Sequence, residues 1–154
     1  GRCTELLSNA LMKDLLKPAS IIVLDNEAIQ ALSNQAHTKH RRLLALIERY
    51  RQHLEQGSRV SLIVPTTVRV EAIINQQEPK ASFVNRIVNQ DHVLDSTYAD
   101  RAAELRNEFS FLSVADAHIA AIATLSDAEV VIITSDVKDF RNSLSKENVN
   151  IVHI

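Results

Sequence analysis

Four acidic residues, Asp25, Glu71, Asp116 and Asp136, stand at places where carboxylates can do chemistry. Asp25 follows the apolar run Ile21-Ile22-Val23-Leu24, and Asp136 closes Thr134-Ser135-Asp136 after Val130-Val131-Ile132-Ile133. If those runs are neighbouring parallel strands, both acids emerge at the carboxyl rim, where open α/β sheets bind ligands. Asp116 ends Ser113-Val114-Ala115-Asp116, an S-x-x-D pattern whose first helical turn can reach a neighbouring strand end. Glu71 lies among Val68, Val70, Ala72, Ile73 and Ile74. Burying it unpaired would be costly, so it calls for a cation: Arg69, Lys80, Arg101 or a metal. Each acid also has an ordinary role. Asp25 or Asn26 can cap a helix, Asp136 a turn before Phe140, Asp116 can complete a capping box, and Glu71 can sit in a buried salt bridge.

Taken together the four say more. Two carboxylates about 5 Å apart repel by roughly 3 kcal/mol at an effective dielectric of ~20. Four in one pocket therefore call for divalent cations, and donors that are all oxygen favour Mg²⁺ or Mn²⁺. Ions held in this way activate water and steady the leaving oxygen in phosphodiester cleavage.

The elements that must position these acids alternate. Continuous apolar runs at 21–24, 60–64 and 130–133 read as strands buried on both faces, the second closed by Pro65. Shorter strands are expected at 92–94 and, at an edge, 149–154. Helices are expected over 39–56, with Leu43, Leu44, Leu46, Ile47 and Leu54 inward and Gly57 as terminator, and over 67–75 and 81–89. Two more are expected over 96–108, capped by Ser96, and 113–125. Strands separated by helices imply right-handed crossovers and a mainly parallel sheet, an α/β fold. Residues 4–17, with Leu6, Leu7, Leu11, Leu15 and Leu16 at helical spacing, predict an amphipathic helix stopped by Pro18. The expected division is an N-terminal extension, 1–18, and one domain, 19–154.

Composition narrows the function. The chain has 154 residues and only two glycines, Gly1 and Gly57, which excludes a P-loop and a dinucleotide fingerprint. One cysteine, Cys3, excludes a disulfide framework and a cysteine-based zinc site. The lack of Trp and the six other aromatics argue against a base-stacking platform. No apolar run reaches the ~20 residues of a membrane span and no segment has signal-peptide order, so a cytoplasmic location is expected.

At this point four segments resemble, in order, those of the PIN domain family in its bacterial VapC-like toxin branch. They are residues 22–28 (IVLDNEA), 64–72 (VPTTVRVEA), 113–121 (SVADAHIAA) and 131–140 (VIITSDVKDF). The resemblance spans about residues 20–154. It implies a three-layer α/β/α sandwich around a mainly parallel sheet of about five strands, and Mg²⁺- or Mn²⁺-dependent ribonuclease activity. It further implies that Asp25, Glu71, Asp116 and Asp136 form the metal-binding quartet, with Thr134 as the accompanying hydroxyl. Asp139 falls in the looser tail of the last motif and receives no role. The partners implied are RNA, an antitoxin that blocks the site, and a second copy in a homodimer. The other readings are a non-catalytic PIN-like module and a different metal nuclease. For the latter, Asp25-Asn26-Glu27 has a D-x-E form, but no antiparallel next strand is evident.

Other features have plainer readings. The segment 39–59 sets six bases against two acids, Glu48 and Glu55. It is either a face for RNA phosphates or a solvated helix with Glu–Arg pairs. His37 and His40 lack a third ligand. His118, two residues from Asp116, is expected to point away, as a surface or a packed histidine. Asp100, Glu104 and Glu108 form a stripe expected to face solvent, with Arg101 and Arg106 on other faces.

Overall fold

The computed structural model describes residues 20–55, 60–75, 77–87, 90–145, 147 and 149–154. Five strands form one sheet: β1 (Ser20–Leu24), β2 (Val60–Pro65), β3 (Gln90–His92), β4 (Val130–Thr134) and β5 (Val149–His153). Their order is β3-β2-β1-β4-β5 and every pairing is parallel. Ile22 on β1 faces Leu62 on one side and Val131 on the other. The apolar runs are continuous because helices cover both faces of the sheet. All five residues of β4 are buried. The protein is thus α/β, with a five-stranded parallel sheet flanked by helices.

Seven described helices connect the strands: α1 (Asn26–Ser33), α2 (His40–Glu55), α3 (Thr66–Glu71), α4 (Pro79–Ile87), α5 (Ser96–Glu108), α6 (Val114–Leu125) and α7 (Val137–Ser143). Ile22, Leu24, Ile29, Leu32, Leu43, Ile119, Ile132 and Phe140 are fully buried and tie the sheet to helices on its faces. α6 is buried almost throughout and its alanines permit close approach to neighbours. Chain progression runs outward from β1 through β2 to β3, then returns to β4 on the other side of β1. The topological switch point therefore lies between β1 and β4. Among the described residues no helix is long and apolar enough to cross a membrane.

Several boundaries differ from the sequence reading. α1 is the helix that the capping role of Asp25 allowed, while α7 replaces the turn expected before Phe140. β3 ends at His92 rather than starting there. The cap of α5 is Asp95, whose Oδ1 accepts the Tyr98 N–H at 3.0 Å, and not Ser96. Leu44 is exposed, while Leu43 and Ile47 hold the inner side of α2. Arg101 does meet the acidic stripe, pairing with Glu104 at 2.8 Å. The expected helix at 4–17 and the terminator Gly57 lie outside the described residues.

α3 is the largest departure. It stops at Glu71 instead of continuing to residue 75. The Ile74 N–H bonds the Arg69 carbonyl at 3.0 Å and the Ile73 N–H bonds the Val70 carbonyl at 3.1 Å. Those two bonds form a Schellman motif, which needs a left-handed residue after the cap and usually takes glycine there. Here that residue is Ile73, at φ 56°. Apolar spacing suggested a longer helix because Ile73 and Ile74 look like inner positions. Ile73 in fact lies open to solvent, 77% exposed.

Candidate functional site

The switch point sets the site. Asp25 directly follows β1, and Thr134 ends β4. Asp25 caps α1, with its Oδ1 accepting the Ala28 N–H at 2.9 Å. Its Oδ2 accepts the Thr134 hydroxyl at 2.5 Å. The ordinary capping role is therefore real and uses one oxygen, while the other faces β4. The Thr134 hydroxyl in turn accepts the Asp136 N–H at 2.9 Å. Thr134 is fully buried, so these partners hold the turn after β4 against the end of β1.

Asp136 occupies the cap position of α7 but makes no capping bond with its side chain. It is exposed, and its neighbour is Asp139, one turn along the helix. Burial raises the Asp136 carboxyl above the usual range, and a side-chain hydrogen bond with Asp139 and its charge add to that. Sequence reading gave Asp139 no role, although its spacing from Asp136 was the available signal.

Asp116 lies in the first turn of α6. Its N–H donates to the Ser113 hydroxyl at 3.1 Å, so the capping motif forms. Its half-buried carboxyl is pushed up to about 6. Burial is the largest cause, followed by the charges of Asp136, Asp25 and Glu71; the Ser113 hydrogen bond works the other way. Three acids from three other segments therefore act on Asp116. Asp25 is also raised, by burial first, against the lowering hydrogen bonds from Thr134, Ala28 and Ser135.

Glu71 corrects an expectation. It was read as shielded and in need of a cation, but it is exposed at the end of α3. Arg69 instead turns to Asn85 at 3.0 Å and to Asp91 at 3.3 Å, and Arg101 turns to Glu104 and Thr124. The early stop of α3 explains this: the apolar neighbours of Glu71 in sequence do not surround it in space. Among the described residues no three Asp, Glu, His or Cys side chains stand close enough to hold one ion as they lie.

A network unseen in the sequence ties the site's elements together. His118 on α6 is fully buried, the packed one of its two expected placements. Its Nδ1 shares a 2.8 Å hydrogen bond with the Thr67 hydroxyl on α3, and its Nε2 a 3.0 Å bond with His92 Nδ1 on β3. His92 packs edge-on against Tyr98. Burial first, then the charge of His92, pushes His118 down to about 4. It therefore stays neutral while pinning the helix of Asp116 to the helix of Glu71. His37 and His40 do not meet on a common ligand: His40 bonds the Ala31 carbonyl, and His37 contacts Glu27.

No protein-family model matches the chain, and no curated protein does. Five chains among solved structures match. One is similar over 87% of this chain and 98% of its own, with a TM-score of 0.58 and 15% identity. It belongs to the crystal structure of VapBC2 from Rickettsia felis bound to a DNA fragment from their promoter. Likeness at that identity is likeness of fold, and it agrees with the PIN-like architecture: a five-stranded parallel sheet between helices.

Proposed function

We propose that this protein is a metal-dependent endoribonuclease that hydrolyses RNA phosphodiester bonds, acting as the toxin of a type II toxin–antitoxin pair. One observation carries the reading: Asp116 stands at the rim where burial first, and then the charges of Asp136, Asp25 and Glu71, push its carboxyl up to about 6. Such repulsion on a carboxyl at a switch-point rim is what a hard cation relieves, and an oxygen-only donor set suits Mg²⁺ or Mn²⁺. Mg²⁺ is usually held by one or two carboxylates and keeps several waters, so the fit does not need three ligands preassembled around a point. Asp25, Asp116, Asp136 and Glu71 are the residues that would hold it. When bound, the ion supplies a water of lowered pKa and neutralises charge on the phosphoryl oxygens.

The chain's own residues do the rest. Thr134 and the Ala28 N–H fix both oxygens of Asp25 before any ligand arrives. His118 sets α6 against α3 without adding charge. Glu71, exposed and unconstrained by an arginine, is the movable member. The likeness to VapBC2 supports an antitoxin as partner; a second copy of this chain in a homodimer completes the proposal.

A second reading is a non-catalytic PIN-like binding module. The exposure of Glu71 and the absence, among the described residues, of a ready three-ligand group favour it. Cleavage of a labelled single-stranded RNA in Mn²⁺ separates the two. The wild type cuts, leaving 5′-phosphate and 3′-hydroxyl ends. Asp25→Asn and Asp116→Asn lose about 100-fold or more, since changes even outside a metal's ligand shell cost ~10–100-fold. Undiminished cutting by both variants rejects the assignment, and no cutting by the wild type selects the binding module.

A further inference from the structure

The outward face of α2 carries charge that the carboxylate site does not use. Arg41, Arg42 and Arg49 are exposed and make no ion pair with a described residue. Arg42 and Arg49, seven positions apart, share one side of the helix about 10 Å apart along its axis. Two acids lie nearby: Glu48, which falls on the side of Arg41, and Glu129, which faces Tyr50 from the loop before β4. The acid between this face and Asp25 is Glu27. It is engaged by His37 at 3.3 Å and Lys39 at 3.5 Å, so its charge is countered where the two regions meet. His40 Nδ1 bonds the Ala31 carbonyl at 2.7 Å, anchoring the start of α2 to α1, the helix that Asp25 caps. The arginines therefore stand in a fixed relation to the carboxylates.

We infer that this face of α2 is a track for the phosphate backbone of single-stranded RNA, running from Arg49 through Arg42 toward the carboxylate rim. The choice of RNA rests on the ribonuclease reading. Four carboxylates repel phosphate, so the affinity for a polyanion has to come from cations elsewhere on the molecule. The net charge of −2 makes that attraction local rather than global. Arginine suits the role because its planar fork bonds two phosphate oxygens at once. The competing account, a helix face neutralised by its own Glu–Arg pairs, fails at Arg41, Arg42 and Arg49, none of which is paired with a described residue.

The test is binding of a fluorescein-labelled single-stranded RNA to the full chain in EDTA, followed by anisotropy over a range of KCl. Relative to wild type, R42Q/R49Q binds about 10-fold more weakly at low salt. Its log Kd–log[KCl] slope is shallower by ~1.4, two phosphate contacts at ~0.7 each. R141Q, an exposed charge on α7, serves as control and changes neither. In Mn²⁺, R42Q/R49Q raises KM and leaves kcat in place. Wild-type failure to bind RNA at low salt, a double variant no weaker than R141Q, an unchanged salt slope, or binding to phosphatidylserine vesicles in preference to RNA would each overturn the track. Arginine-dependent binding without cutting supports the track and sinks the ribonuclease reading. Cutting that ignores R42Q/R49Q does the reverse.

Discussion

At the scale of the residue, the carboxyl of Asp116 is the most informative group. Its folded value of about 6 stands above its ordinary 3.8, through burial and then its acidic neighbours. A carboxyl raised in the folded state contributes stability that is fully present below about pH 4 and is lost as pH rises through about 6. Asp116→Asn escapes that loss. In metal-free buffer at pH 7.5 it should be more stable than wild type by on the order of 1–2 kcal/mol once solvent screening of a partly exposed group is allowed for, read as a higher melting temperature. The advantage should vanish near pH 4. An Asn variant less stable than wild type at pH 7.5 would mean that the acids do not repel as described. His118 titrates with the opposite sign and is common to both proteins, so it cancels in the difference. Thr134 offers a second handle, because its buried hydroxyl donates to Asp25 and accepts from the Asp136 backbone. Thr134→Val leaves that N–H unpaired and should cost about 1–3 kcal/mol in urea melts, while Thr134→Ser stays close to wild type. Equal stability of the two variants would remove the hydroxyl from the account.

At the scale of the element, α3 concentrates what is unusual. It lasts six residues and ends on Glu71, and its Schellman motif forces Ile73 into the left-handed region. That conformation costs a β-branched residue about 1–2 kcal/mol relative to glycine. The Ile73 side chain recovers little by burial, since it is largely exposed. Ile73→Gly should therefore stabilise the protein by about 1 kcal/mol, read as a higher urea midpoint at constant slope. A lower midpoint would show that the isoleucine side chain contributes contacts beyond those described. α6 behaves differently: its cap, its alanines and its buried His118 all agree with one placement, and it carries Asp116 into the rim as a rigid part.

At the scale of the whole molecule, parallel strands gather residues distant in sequence at one edge. Residues 25, 71, 116 and 136 come from four different connections, and only the β3-β2-β1-β4-β5 order makes them neighbours. A ligand that binds this assembled rim and not the unfolded chain stabilises by mass action, about 2.7 kcal/mol at 100 times its Kd. For a chain of this size that is a rise of about 5–10 °C in Tm. Saturating Mn²⁺ should produce such a rise in wild type and much less in Asp25→Asn or Asp116→Asn. A flat response in wild type would count against metal binding and for the non-catalytic module.

The sequence by itself determined the α/β class, the central strands β1, β2 and β4, and the approximate places of α2, α5 and α6. Continuous apolar runs, end signals and helical periodicity are local, and they act before any tertiary contact. It also singled out Asp25, Asp116 and Asp136, because strand ends and helix starts are visible in one dimension, and Glu71 through its apolar sequence neighbours. The tertiary structure alone decided that the other three acids act on Asp116, that Glu71 lies in the open, and that Asp139 adjoins Asp136. It likewise decided that His118 joins Thr67 to His92. These depend on where strands cross and where α3 stops, and the stop of α3 is set by two backbone hydrogen bonds and a left-handed isoleucine that no residue preference would place there.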